Sequence, residues 1–252
     1  QEGSFLLWSF WHVVLGIVIM LKAGKWESPV MSIVSLMQVF LLTFILGIYI
    51  TDTLHIGSSP FLLLRDKLTG DPVFLFDDYM RFIPDGRGLN ALLQNYWMVI
   101  HPPVLFLGFA SITIPFAYAI AGLWNKDYTG WIKPAIPYAL FASMVLGTGI
   151  LMGGAWAYEA LSFGGFWAWD PVENASLIPW LIIVAGLHNL VISKATGHAL
   201  RSSFVMIILA FFFVVYASFL TRSGILGDTS VHAFVEEGLT NHLLIFLFTF
   251  VL

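Results

Sequence analysis

The sequence predicts an all-α, polytopic helical membrane protein with about six complete transmembrane helices plus the start of a seventh. Of 252 residues, 59% are hydrophobic and only 10% are charged, whereas roughly a quarter of the residues in soluble proteins are charged. The apolar residues also form long runs, and a helix needs about 20 of them to cross a bilayer. A disordered chain and a nucleic-acid-binding protein are excluded, because the net charge is −4 and no basic cluster is present.

The apolar runs place the helices along the chain. Complete spans are predicted at 5–21, 30–50, 103–123, 134–154, 175–193 and 202–220, and a seventh helix begins near 241. Polar or turn residues bound each run, as expected at helix ends. No segment has the alternating pattern of a strand. The chain begins at Gln1 and ends at Leu252 inside an apolar run, so we expect a fragment of a longer protein.

Three motifs predict where helices start. Ser28-Pro29 suits an N-cap followed by a first-turn proline. Pro102-Pro103 is expected to open a helix, because proline lacks the amide N–H that a helix interior needs. Asp170, Pro171 and Glu173 combine an acidic cap, a first-turn proline and a glutamate at the third position.

The charges of the connecting segments predict orientation. The short segments are 22–29, 124–133 and 194–201, and together they hold six basic and two acidic residues. The rest of the chain holds five basic and 13 acidic residues. By the positive-inside rule, the short segments are cytoplasmic. Residues 1–252 are expected to be one multi-pass transmembrane domain.

The remaining segments are expected on the external, or periplasmic, side. These are 51–95, the aromatic segment 155–174 and the histidine-bearing segment 221–240. Aromatic residues in 155–174 are Trp156, Tyr158, Phe163, Phe166, Trp167 and Trp169. They are compatible with a flat platform that stacks on a planar ligand, and also with an interfacial aromatic belt. Asp170 and Glu173 are equally compatible with a helix cap alone.

Two histidines are expected at the external membrane surface. His101 precedes Pro102-Pro103 at the expected mouth of a helix, where the helix dipole disfavours an imidazolium. His232 lies in segment 221–240 on the same side. Each is compatible with a simple hydrogen-bonding anchor. Two neutral imidazoles beside a flat apolar surface are also what a hexacoordinate haem requires.

His188 falls within the fifth predicted span, in the inner half of the membrane. Ionisable groups at that depth are costly and indicate function, although a neutral ring bonded to a backbone carbonyl is an alternative. His12, in the first span, is a candidate partner for it. His55, His198 and His242 are interpreted as ordinary loop or helix-end residues.

Segment 164–176, Gly-Gly-Phe-Trp-Ala-Trp-Asp-Pro-Val-Glu-Asn-Ala-Ser, resembles the tryptophan-rich WWD signature of haem-handling cytochrome c biogenesis proteins. Its last seven residues are similar to the CcmF branch, which includes NrfE. Further matches are Glu2-Gly3-Ser4, Leu92-Leu93-Gln94, Ile100-His101-Pro102-Pro103, Leu187-His188-Asn189-Leu190, Thr221-Arg222-Ser223-Gly224 and Val231-His232-Ala233-Phe234. They follow the family order over nearly the whole chain.

The resemblance implies two haem sites. At the external site, His101 and His232 would be axial ligands of a transient haem held by the WWD segment. The residues around this haem would be Trp156, Phe163, Phe166, Trp167, Trp169, Asp170, Glu173 and Asn174. His188 would be one ligand of an embedded haem b, whose second ligand is expected beyond Leu252, so His12 is set aside. Phe163 and Phe166 stand where the family often has Trp and lack its indole N–H.

The activity implied is the haem lyase step of cytochrome c maturation, in which the thiols of apocytochrome c add to the haem vinyl groups. The chain has no Cys, so these thiols must belong to a partner. Implied partners are a haem chaperone, apocytochrome c and its thiol-handling partner, with no nucleic acid. No residue is assigned as an acid-base catalyst. Alternatives are a haem relay or export protein that makes no thioether bond, and a channel, which the scattered Ser and Thr residues disfavour.

Overall fold

The computed structural model describes residues 2–50, 55–68, 70–83, 88–162, 164–227, 229–230 and 240–250. The prediction of an all-α, polytopic membrane protein is confirmed, since six helices are long and apolar enough to cross a membrane. These are α1 (Glu2–Lys22), α2 (Glu27–Phe44), α4 (Tyr96–Trp124), α5 (Ile132–Ala160), α6 (Pro171–Thr196) and α7 (Leu200–Arg222). The other α-helices of the described residues are the single turn α3 (Leu64–Lys67) and the ten-residue α8 (Thr240–Thr249).

Helix α4 is the centre of the bundle, since it packs against α1, α2, α5 and α7. Its contact with α5 depends on two glycines that face the other helix. A Cβ added to Gly108 would lie 2.7 Å from Cα of Leu146, and one added to Gly149 would lie 2.9 Å from Cα of Leu105. Small residues of this kind let the backbones of membrane helices approach closely.

The start of α4 differs from the prediction. The helix begins at Tyr96 after Asn95, whose side chain accepts a hydrogen bond from the Trp97 amide at 2.8 Å. Pro102 and Pro103 therefore lie inside the helix, and their missing N–H groups leave two carbonyls of the first turn without helical partners. Such prolines are tolerated in membrane helices where neighbouring groups bind the freed backbone. His101 consequently lies in the second turn and not at the mouth of the helix.

Helix α2 also differs at both ends. It begins at Glu27 with Trp26 as the cap residue, which makes no side-chain cap bond, so Ser28 is not the N-cap. It ends at Phe44 and not at residue 50, because the chain turns at Gly47, which has φ +63. Ile48–Tyr49 then pairs antiparallel with His55–Ile56, a two-residue strand pair that the sequence did not predict.

The aromatic segment that connects α5 and α6 is shorter than predicted. Helix α5 continues to Ala160 and α6 begins at Pro171, so the aromatic loop is 161–170 and Trp156 belongs to α5. Segment 51–95 contains α3 and the 3-10 turns Pro72–Leu75, Tyr79–Arg81 and Ala91–Leu93.

At the opposite end of the bundle, Lys25 and Asp127 form a 3.1 Å ion pair. This pair brings together two of the segments predicted to be cytoplasmic.

Candidate functional site

A cavity of about 470 Å³ lies where α1, α4, α5, α6 and α7 meet. This volume is within the range of small-molecule sites, which are typically about 300–1,000 Å³ and mainly apolar. Four of the predicted site residues line it, namely His101, Trp156, Trp167 and Glu173. Ser4, Thr221 and Arg222, for which the sequence suggested no role, line it as well.

The His101 imidazole is held by α5 although the residue belongs to α4. Its Nδ1 lies 2.7 Å from the carbonyl oxygen of Gly149, and since a carbonyl can only accept, Nδ1 carries the proton. The neutral ring then presents Nε2 as the nitrogen with a lone pair. The ring lies against Gly153, where an added Cβ would be 2.7 Å from Cε1 of His101. The ring is thus held by one hydrogen bond and by close packing against α5, two contacts that the sequence did not predict.

The two tryptophans of the cavity wall have different roles. Trp156 is 8% exposed, and its Nε1 donates to the carbonyl of Leu92 at 2.9 Å, which ties α5 to the segment before α4. Trp167 is half-buried, and its Nε1 is buried without an acceptor among the described residues. A buried indole N–H of this kind is available to a ligand oxygen.

Two other predicted aromatic residues, Phe166 and Trp169, lie on the surface. Phe166 stacks on Tyr158 with ring centroids 4.3 Å apart and an interplanar angle of 4°, and it is 59% exposed. Trp169 is 72% exposed, packs edge-on against Trp167 and has φ +58, a backbone conformation that is strained for a bulky side chain. Phe163 lies outside the described residues. The predicted platform is therefore divided between a cavity wall and an outer face.

The polar residues of the loop hold its backbone. The predicted capping box is confirmed, since Asp170 accepts from the Val172 amide at 2.7 Å and Glu173 accepts from the Asp170 amide at 3.2 Å. Glu173 also accepts from the Ala168 amide at 2.9 Å. Asn174 donates to the carbonyl of Trp169 at 3.0 Å. These contacts fix the loop that carries Trp167.

Asp170 also connects this loop to the segment after α7. Ser230 donates a hydrogen bond to its Oδ1 at 2.7 Å. His232, the second predicted external ligand, lies outside the described residues. Ser230, the last described residue before His232, therefore lies beside the aromatic loop.

The two histidines predicted within spans have contrasting surroundings. His12 is 1% exposed, and its Nε2 forms a 2.9 Å hydrogen bond with Oγ1 of Thr113, so it is a core residue. His188 is exposed on the surface of α6, where its Nδ1 donates to the Val184 carbonyl at 2.8 Å. The backbone bond that the sequence offered as an alternative is thus present at His188, and it holds the ring through Nδ1.

Arg222 is the residue that the sequence reading most clearly missed. It is 4% exposed at the end of α7, its Nη2 donates to Oγ of Ser4 at 2.9 Å, and its guanidinium carbon lies 4.9 Å from the Phe5 ring centroid. No signal in the sequence pointed to it, because Lys and Arg residues are ordinary at the ends of membrane helices.

A family model described as cytochrome C assembly protein matches residues 1–226. The chain belongs to this cytochrome c assembly protein family. Among the similar proteins, a cytochrome c-type biogenesis protein CcmF of Pseudomonas fluorescens is 36% identical over 239 residues, which are 94% of this chain and 33% of that protein. CcmF of Escherichia coli K12 is 35% identical over 243 residues, 94% of this chain and 34% of that protein.

A solved structure named Cytochrome c Heme Lyase CcmF is similar to this cytochrome c assembly protein, with a TM-score of 0.71 and 28% identity. The match covers 99% of this chain and 34% of that one. The chain thus spans about a third of the length of the relatives it matches. The cavity of this chain holds the fixed imidazole of His101, the buried guanidinium of Arg222 and the indole N–H of Trp167 between apolar walls. These donors suit a flat, mainly apolar ligand that carries acidic groups.

Proposed function

We propose that this chain is the haem-presenting part of a cytochrome c haem lyase, which holds haem at the cavity for covalent attachment to apocytochrome c. The observation that carries the proposal is the His101 ring, fixed as the tautomer that a metal ligand needs and placed in the wall of an apolar cavity. The names of the relatives, cytochrome c-type biogenesis proteins, support the same process.

His101 would bind the haem iron through Nε2. The bond from its Nδ1 to the Gly149 carbonyl is the outer-shell contact that orients metal-binding histidines and raises their basicity. Gly153 makes room for the ring against α5, because a Cβ at this position would lie 2.7 Å from Cε1 of His101. The Trp167 indole and the apolar side chains of α4 would cover the macrocycle and exclude water.

His232 is proposed as the second axial ligand. Its support is the contact between Ser230 and Asp170 at 2.7 Å, because Asp170 adjoins two residues that line the cavity, Val172 and Glu173. A fully extended chain spans at most about 3.6 Å per residue, so two residues beyond Ser230 reach about 7 Å. The segment is therefore within reach of a haem on the aromatic loop.

When bound, haem supplies two vinyl groups, and each thiol of apocytochrome c adds across one of them, with its sulfur on one carbon and its proton on the other. This chain would hold and orient the haem to which the thiols add. Asp170, Glu173 and Asn174 already bind loop backbone or Ser230, so their proposed contribution is to keep the loop in shape.

An embedded haem b is proposed with His188 as one ligand. His188 is exposed on α6 and its Nδ1 is held by the Val184 carbonyl, so the same ligand-competent tautomer is present there. A second ligand would come from a helix beyond this chain. Such a haem would pass an electron to the external one and keep its iron reduced.

The partners follow from this activity. We propose a haem chaperone that delivers the cofactor, and apocytochrome c with its thiol-handling partner as the acceptor. The charge distribution over the short segments favours an external, periplasmic location for the cavity in an inner membrane. Phe166 and Trp169, exposed at 59% and 72%, are proposed to contact the haem and its incoming partner.

The test is haem retention by the purified full-length protein. His101→Ala should lose the external haem and keep the embedded one, as measured by absorption spectra before and after dithionite. His198→Ala, a substitution of an exposed histidine after α6, is the matched control and should keep both. A His101→Ala protein with full haem at both sites would contradict the proposal. Reconstitution with apocytochrome c then separates a lyase from a relay, because a relay releases haem without thioether product.

A further inference from the structure

Arg222 is a buried cation in the wall of the proposed haem cavity. Its side chain is 4% exposed, and its guanidinium carbon lies 4.9 Å from the ring centroid of Phe5 and 5.6 Å from that of Phe106. Its Nη2 donates to Ser4 Oγ at 2.9 Å. Ser4, Phe106 and Arg222 all line the cavity. The group is therefore fixed between two aromatic rings at the edge of the space a ligand would fill.

The chemistry of this group favours a carboxylate ligand. A guanidinium carries five N–H donors in a planar fork that matches the two oxygens of a carboxylate. The attraction is strong here, because the surrounding walls are mainly apolar and screen charge poorly. The carboxylate of Glu173, also in the wall, already accepts bonds from the Ala168 and Asp170 amides. Glu173 therefore holds the backbone of the aromatic loop.

We propose that Arg222 is a positioning residue that binds a propionate carboxylate of the haem in this cavity, an inference that rests on the function proposed above. His101 fixes where the iron lies, but a ligand to the iron leaves the macrocycle free to rotate in its own plane. A cation that holds the propionate edge removes that freedom. It thereby sets which edge, the one with the vinyl groups, is presented to the thiols.

The test compares two probes on the full-length protein, iron protoporphyrin IX and its dimethyl ester, which has no propionate charge. Affinities are measured by quenching of tryptophan fluorescence, with His101→Ala as the blank. Arg222→Gln should weaken binding of the free acid at least about tenfold, the effect of losing a charged hydrogen bond, and change ester binding less than about threefold. Arg222→Lys should be intermediate, because an ammonium keeps the charge and loses the fork.

Arg201→Gln is the matched control, since Arg201 is exposed at the other end of α7, and it should change neither affinity. Partition of the ester into detergent is common to all variants and cancels in the comparison. Equal losses for both probes, or no loss for either, would overturn the inference and leave the proposed function standing. Retained ester binding reports that a variant is folded. A wild-type protein that binds neither probe contradicts the proposed function and this inference with it.

Discussion

Ser230 and Asp170 are joined by a 2.7 Å hydrogen bond between Oγ and Oδ1, although 60 residues separate them in the chain. The same Oδ1 accepts from the Val172 amide at 2.7 Å. One carboxylate therefore caps α6 and fastens the segment that leads to the second proposed iron ligand.

Asp170→Ala should weaken external haem binding more than Ser230→Ala, because it removes both of these contacts. The lost cap alone costs about 1 kcal/mol. Asp170→Asn keeps an oxygen acceptor and is expected to retain most of the affinity. Haem titration of the three variants measures the order. Equal affinities for Asp170→Ala and the wild type would show that the cap has no influence on the site.

Gly153→Ala should displace the His101 ring, because the new Cβ would lie 2.7 Å from Cε1, well inside contact distance. We expect at least about a tenfold loss of external haem affinity, since small misplacements of a binding group are costly. Gly70→Ala is the control, because nothing lies within 4 Å of its added Cβ. Unchanged haem spectra in Gly153→Ala would argue against His101 as the ligand.

Trp169→Gly and Trp169→Ala should both weaken retention of external haem, because both remove the exposed ring. They should differ in stability. Glycine adopts the φ of +58 at this position without the strain of an L side chain, so Trp169→Gly is expected to be more stable than Trp169→Ala by about 1 kcal/mol. Thermal unfolding of the two variants measures the difference, and a more stable Trp169→Ala would refute the argument.

His188→Ala and His12→Ala are expected to separate cofactor binding from packing. His188→Ala should remove the proposed embedded haem and lower the stability only a little, because the His188 ring is exposed. His12→Ala should keep the haem but lose about 2 kcal/mol or more of stability, since it empties a buried site and orphans Thr113. Dithionite spectra and thermal unfolding distinguish them. If haem were lost in His12→Ala and retained in His188→Ala, the proposed ligand would be His12 and not His188.

The ion pair of Lys25 and Asp127 should respond to pH and salt. The Lys25 hydrogen bond, with a second from the Gly130 amide, lowers the pKa of the Asp127 carboxyl. The stabilisation is therefore present above a pH of about 4 and lost as the pH falls through the folded pKa. Lys25→Gln should raise this pKa, as measured by carboxyl NMR titration, and added salt should do the same. A pKa unchanged by the substitution would contradict the pairing.

Composition and the apolar runs were enough to predict the bundle, whereas only one of the three helix-start motifs, the one at Asp170, was right. Six apolar runs gave six helices, and the Asp170 capping box formed as expected, because these depend on local residues. The start of α4 was wrong, because Asn95 and contacts of the surrounding bundle outweigh the local cost of Pro102 and Pro103. The cavity could not be predicted either. Arg222 and Ser4 are 218 residues apart, and only tertiary packing joins them.

The tautomer of His101 depends on two helices at once, because its Cα belongs to α4 and the carbonyl that holds its Nδ1 belongs to α5. Sliding of one helix along the other would break that bond and turn the imidazole. Gly108 and Gly149, packed against the opposite backbones, oppose such sliding. The strength of the proposed iron bond should therefore change little with bilayer thickness, and should become sensitive to it once the close packing of α4 on α5 is loosened.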